Sequence, residues 1–277
     1  MSSASIRSTG PLRRTRVLMD LARYKNQTAR LDTADLDFGE FAHHRLSDEA
    51  LRCLRYMHDV ENHTVCYLRD LLVTSAHKDP AITSFLTFWN FEEFWHGEAI
   101  AAVLAAHGDE PEERVAATRR RLGWKDRLGP LAHLLGSSLA GESFIAIHMT
   151  WGAINEWTTQ AGYARLAARA EHPLLSQLLG RIMRQEGRHI DFYVAEATHR
   201  LGDGRRAQRI TRCALKHLWS PVGSSVMPAS EVRFLVRYLF EGDDGRAMAD
   251  RIDRRVDRLP GLAGLNLIGG ALDGARP

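Results

Sequence analysis

The chain has 277 residues, 44% of them hydrophobic and 26% charged, an ordinary globular make-up with enough length to bury a sizeable core. Its 37 basic residues against 34 acidic ones leave a formal charge of +3, too even a balance to argue for nucleic acid. Cys53, Cys66 and Cys213 make no Cys-x-x-Cys pair, which excludes a disulfide scaffold or cysteine-rich metal module and fits a reducing, cytoplasmic setting; no apolar run approaches the roughly 18 residues that span a bilayer, so no membrane partner is expected.

Helical periodicity runs through the sequence and no alternating strand pattern interrupts it, so the expected class is all-α. Residues 1–45 begin with a Ser- and Arg-rich stretch that includes Arg13, Arg14 and Arg16. It lacks the apolar core of a secretory signal and is expected to be partly disordered or helical. A first long helix is predicted from Ser47 to Thr74, with Ser47 as N-cap and Leu51, Leu54, Val60, Val65, Leu68 and Leu72 as its apolar stripe. The second starts after Asp79-Pro80 and runs to His107-Gly108; the third spans Gly141 to Ala170; the fourth starts at Pro173 and ends near Leu201-Gly202. At roughly 26–30 residues each they would be about 40–45 Å long, the dimensions of a four-helix bundle over residues 46–202. Residues 108–140 read as an inserted linker with short helices at 111–122 and 130–139, carrying the basic run Arg119, Arg120, Arg121, Lys125 and Arg127. Residues 203–277 read as two or three further helices packed on the bundle, ending in a mobile Gly-rich tail.

Two of the long helices carry Glu-x-x-His, as Glu93–His96 and Glu186–His189, and this i, i+3 spacing points a carboxylate and an imidazole at one spot. The other two each offer a central carboxylate, Glu61 and Glu156. The spacing alone is weak, since Glu40–His43 and Glu196–His199 share it; the second of these reads as surface pairing. The arrangement is informative. Each central pair follows a helix with a central Glu, and the gaps agree, 32 residues from Glu61 to Glu93 and 30 from Glu156 to Glu186. One Glu from each of two helices plus Glu-x-x-His from each of the other two is the ligand pattern of di-iron carboxylate bundles. Four buried carboxylates need compensating charge, and oxygen with imidazole donors suits two iron ions or an iron–manganese pair. Small residues facing the bundle, Gly152, Ala153 and Gly162, leave room for a chain-like substrate or mark close backbone approach.

Three stretches over residues 50–200 resemble the acyl-carrier-protein desaturases, soluble ferritin-like di-iron oxidases. Trp89-Asn90-Phe91-Glu92-Glu93-Phe94-Trp95-His96-Gly97 is similar to their Trp-x-x-Glu-Glu-x-x-His-Gly signature, Asn155-Glu156-Trp157-Thr158-Thr159 to their Gln-Glu-x-x-Thr, and Gln185-Glu186-Gly187-Arg188-His189 with Tyr193 to their Asp-Glu-x-Arg-His and following Tyr. The resemblance implies metal ligands at Glu61, Glu93, His96, Glu156, Glu186 and His189. It also implies a proton-relaying hydroxyl at Thr159, a Tyr193 that is core or redox-active, and dioxygen as co-substrate. A ferredoxin-type electron donor, an acyl carrier protein as partner and a homodimer are implied as well. The chain departs from the family in having Gln185 where an acidic residue supports a ligand histidine, and in having no tryptophan before Trp89. Those departures bear on ligand orientation and electron delivery. The expected activity is desaturation or hydroxylation of an unactivated C–H bond on a carrier-tethered acyl or similar chain. Iron handling, hydroxylation of a modified tRNA base and a ribonucleotide-reductase-like radical role remain as other readings.

Overall fold

A computed structural model of the chain describes residues 21–274; the basic residues Arg13, Arg14 and Arg16 lie outside the described residues. Helix α1 covers residues 21–27, followed by α2 (Glu40–His43), α3 (Asp48–Glu61), α4 (Thr64–Leu72) and a 3-10 turn, Ser75–Lys78. Then come α5 (Pro80–Ala106), α6 (Pro111–Ala140), α7 (Ser143–Ala170) and α8 (Pro173–Gly202). Helices α9 (Arg205–Leu218), α10 (Ala229–Phe240), α11 (Gly242–Asp257) and α12 (Leu267–Gly274) complete the chain, and no strand occurs among the described residues.

Local chemistry sets the helix starts. Ser47 accepts the Ala50 amide at 3.2 Å, and Asp79 accepts those of Ala81 and Ile82 ahead of Pro80. Imidazole Nδ1 of His172 accepts the Leu175 amide and caps α8. Helix α7 pairs with α8 and α3 with α5, and between them lies a continuous core that includes Leu54, Ile100, Ile154, Leu166, Leu178 and Ile182. A second apolar cluster, with Phe85, Leu86, Met149, Phe192 and Tyr193, closes the far end.

The first long helix is broken. Helix α3 stops at Glu61, the Thr64 hydroxyl takes the Glu61 carbonyl at 2.7 Å, and the Asn62 amide bonds back to the His58 carbonyl at 3.1 Å. These side chains compete with the helical ladder and end it. The restart at Thr64 changes the helix phase, so Asp70 and Leu71 face inward while Val65 and Leu72 of the expected stripe are exposed. Helix α5 passes close by at Gly97, where a Cβ would stand 2.8 Å from the Asn62 amide nitrogen.

The expected linker helices merge into α6, divided at Gly123, which takes a left-handed φ of 52°. The second rod therefore starts at Trp124, earlier than expected, and carries Pro130 inside it. The C-terminal part holds four helices. Its Gly-rich end folds as α12, because Asp253 accepts the amides of Ile268 (3.1 Å) and Gly269 (2.8 Å) while Ile268 and Leu272 are buried. Glu196 is not a surface group paired with His199: it is buried and takes Arg200 at 3.2 Å, and Arg200 reaches on to Asp79 at the start of α5. Glycine at 152 serves close approach, since a Cβ there would run into the Tyr193 ring of α8.

Candidate metal centre

Four helices deliver six side chains to one buried point: Glu61 from the end of α3, Glu93 and His96 from α5, Glu156 from α7, Glu186 and His189 from α8. Donor atoms of Glu61, Glu93, His96 and Glu186 lie within 4.8 Å of one another, and so do those of Glu93, Glu156, Glu186 and His189. The two sets share Glu93 and Glu186. Two ions, if bound, would be held by these six residues, with Glu93 and Glu186 common to both donor sets and one imidazole in each. His96 Nδ1 stands 3.5 Å from both Glu93 and Glu186; His189 Nδ1 stands 3.2 Å from Glu93 and 3.0 Å from Glu186.

The electrostatics are those of a site built for cations. Burial, with Glu93 beside it, pushes the Glu61 carboxyl well above the usual range; burial, with Glu186 beside it, does the same for Glu156. Burial alone would lower His96, but its contacts with Glu186 and Glu93 outweigh that and hold it up at about 10. His189 is likewise raised well above an ordinary imidazole despite its burial. Protons thus substitute for missing positive charge. Two polar atoms at the centre, His96 Nδ1 and Glu186 Oε1, are buried without a hydrogen-bond partner. Orphaned donors among clustered carboxylates are what a metal pair would satisfy, and the oxygen and imidazole set fits iron or manganese.

Outer contacts fix the inner groups. The Nε2 atom of His96 lies 2.9 Å from Gln185 Oε1, and Gln185 in turn donates to the Ala29 carbonyl at 3.0 Å. Gln185 thus braces the His96 imidazole through a neutral hydrogen bond. The charge stands behind the other histidine: Glu92, fully buried, accepts His189 Nε2 at 2.8 Å, Tyr24 at 3.0 Å and Arg188 at 2.5 Å. Trp89 donates to Glu156 at 2.9 Å, and the Tyr163 hydroxyl donates to Glu61. Glu92, Tyr24 and Tyr163 escape a reading of the ligand pattern. Tyr163 has a periodic signal, two turns beyond Glu156 on one face of α7; Tyr24 lies in a segment expected to be partly disordered.

A cavity of about 540 Å³ reaches this cluster, its wall including Glu61, Glu93, Glu156, Thr159 and Tyr193. The Thr158 and Thr150 hydroxyls bond back to their own helix, whereas the Thr159 hydroxyl makes no hydrogen bond to another described residue. Tyr193 is buried edge-on against Phe85, with ring centroids 4.8 Å apart. Glu40 and His43 are exposed on α2, and neither Glu196 nor His199 belongs to the cluster.

No family model matches the chain, and no curated protein matches it. Among solved structures it is similar to an R2-like ligand-binding oxidase, a point variant with an aerobically reconstituted Mn/Fe cofactor. The TM-score is 0.54 at 17% identity, over 98% of this chain and 93% of that one. The shared fold is a ferritin-like helical bundle, and a likeness at this identity shows the fold alone.

Proposed function

We propose that this protein holds two metal ions, two irons or an iron–manganese pair, at Glu61, Glu93, His96, Glu156, Glu186 and His189, and is a dioxygen-activating oxidase. Its substrate would be an apolar, chain-like molecule such as an acyl group, on a carrier or in a lipid, that is desaturated or hydroxylated at an unactivated carbon. The observation that carries this reading is the meeting of two overlapping donor sets with the inner end of a largely apolar cavity. When bound and reduced by an external donor such as a ferredoxin, the metal pair supplies oxygen activation for hydrogen removal from carbon.

The chain's own residues do the rest. Gln185 and Glu92 orient the two imidazoles, keeping each Nδ1 turned inward. Tyr163 and Trp89 steer the outer carboxylates Glu61 and Glu156 through single hydrogen bonds. Phe144, Trp151 and Tyr67 line the cavity with aromatic surface that excludes water and aligns an apolar chain. The Thr159 hydroxyl, unattached to its helix, is placed to hold or pass a proton at the cavity's inner end. Tyr193 fixes the wall by packing over Gly152.

The test is anaerobic loading with ferrous iron followed by oxygen, with the optical spectrum recorded with and without a panel of acyl substrates. The expected result is two metals per chain and slow oxidation that one substrate accelerates many-fold, with loss of metal and of oxygen chemistry in a still-helical Glu156→Ala variant. Fast oxidation without substrate, continuing well beyond two irons per chain, would overturn the enzyme reading in favour of iron handling.

A further inference from the structure

The second rod of α6, residues 124–140, has its amphipathicity reversed. Its protein-facing side is polar: Asp126 is held by Arg69 at 3.2 Å and lies 3.4 Å from His63, His133 stands 3.7 Å from Asp70, and Ser137 is buried. Its outward side is Trp124, Leu128, Leu131, Leu135 and Leu139, spaced by four, three, four and four residues, which places them within an arc of about 80° on one helix face. Trp124 is 67% exposed and Leu139 88%. A helix of a water-exposed bundle turns the opposite way, and contiguous exposed apolar surface of this kind marks a contact site.

Charge and position say what contacts it. From Leu128 to Gly141 the sequence has no charged residue, His133 being the one titratable side chain, whereas exposed Arg119, Arg120 and Arg127 precede it. Asp126, next to Arg127 in sequence, is already committed to Arg69. Across the cavity mouth, the end of α9 repeats the pattern: Leu218, 69% exposed, follows exposed Lys216 and His217. Leu218 lines the same cavity as Ala132, His133 and Gly136 of the rod, and the exposed lining residues Ala132, Gly136, Leu218, Ser220 and Ser225 mark its opening.

We propose that this face docks on the surface of an anionic lipid bilayer, with the leucine band in the headgroup–acyl boundary, the arginines on lipid phosphates and the cavity mouth turned to the membrane. No helix among the described residues is long and apolar enough to cross a membrane. Surface docking needs none, so the absence of a spanning run does not argue against it. A second copy seated on this face would cover the mouth, whereas a bilayer feeds apolar cargo into it. The docking claim stands on the surface alone; only the identity of the cargo rests on the proposed oxidase function.

The experiment is co-sedimentation of the full chain with vesicles of phosphatidylcholine alone and with one quarter phosphatidylglycerol, beside sedimentation velocity without lipid. Binding to the anionic vesicles is expected. Arg119→Gln with Arg120→Gln should weaken it about 30-fold, since each arginine near such a surface contributes roughly fivefold. Leu131→Gln with Leu135→Gln, at positions already in water, should weaken it at least tenfold with unchanged helix content and unchanged mass in solution. Absence of vesicle binding, or binding that the leucine variant leaves intact, would overturn the proposal. So would a wild-type dimer that the leucine variant splits, or capture of this face by a holo-acyl carrier protein in place of vesicles. Metal content and oxidase activity enter none of these readouts, so failure of docking and failure of the oxidase reading are separable.

Discussion

Changing Glu92 to Gln removes one negative charge and almost no volume from a residue with no exposure to solvent. The carboxylate accepts from His189, Tyr24 and Arg188, and more weakly from the Ala29 amide at 3.4 Å. An amide oxygen in the Oε2 position can still accept from His189 and Tyr24, but the NH2 end, in the Oε1 position, then meets the hydrogens of Arg188 and the Ala29 amide. Loss of an outer partner to a ligand histidine typically costs 10–100-fold in metal affinity, or about 1.4–2.7 kcal/mol. The cost should fall on one of the two ions. His189 belongs to the donor set that includes Glu156, whereas His96, in the other set, is braced by Gln185. Competitive titration with a chelator should therefore show one equivalent bound as in wild type and the second weakened by the stated factor, with the far-UV spectrum unchanged. Gln185→Leu should weaken the other equivalent. If Glu92→Gln left both equivalents unchanged, or weakened both equally, the assignment of Glu92 to a single histidine would be refuted.

Metal loading near pH 7.5 should release protons, because His96 is held at about 10 and His189 is raised, while a metal needs both imidazoles neutral at Nδ1. Titration calorimetry in buffers of different ionisation enthalpy reads the number directly, and zero release would contradict the protonated resting state. For the metal-free protein the His96 contribution has a definite sign. Its pKa is raised above the ordinary 6.5, so the stabilisation is full below pH 6.5 and fades as pH rises through about 10, lowering the melting temperature over that window. Gly152→Ala should cost about 1–3 kcal/mol by driving a methyl into the Tyr193 ring, measured by denaturant unfolding. Asp253→Ala removes the acceptor for two amides of α12 and should cost about 0.5–2 kcal/mol, with faster amide exchange confined to the C-terminal helices.

The long helices and the bundle could be read from periodicity because their punctuation is explicit: Asp79-Pro80, His172-Pro173, and left-handed Gly108 past the end of α5. The break after Glu61 was not legible. Nothing in Glu61-Asn62-His63-Thr64 forbids helix, and the interruption depends on the Asn62 and Thr64 side chains choosing backbone carbonyls over water, with α5 pressed against them at Gly97. The same limit hid Glu92. A pattern search sees Glu93 and His96 three apart on one face, while Glu92, turned about 100° away, looks like a solvated neighbour until α1 and Arg188 of α8 close around it. Glu196 and His199, read as a surface pair, show the same limit. They match the ligand spacing, but the three-dimensional partner of Glu196 is Arg200, one turn on. Burial is a property of the neighbouring helices, and single-helix spacing does not contain it.

What the assembled centre adds is sidedness. The cavity wall includes Glu61, Glu93 and Glu156 but not His96, Glu186 or His189, so the cavity meets the carboxylate face of the cluster. The imidazoles point away from it. Behind His189, the hydrogen-bonded path runs through Glu92 to Arg188, whose side chain is 24% exposed, and to Tyr24 on α1. The surface near Arg188 therefore connects to the cluster by a path separate from the cavity. The charged acceptor sits behind one histidine only. Glu92 with Arg188 keeps a compensated charge pair next to the surface, while neutral Gln185 supports His96 through one hydrogen bond and passes the other to the Ala29 carbonyl, adding no net charge to an already acidic core. Two ions held there would sit in unequal fields despite nearly matched donor sets, and that inequality favours stepwise loading.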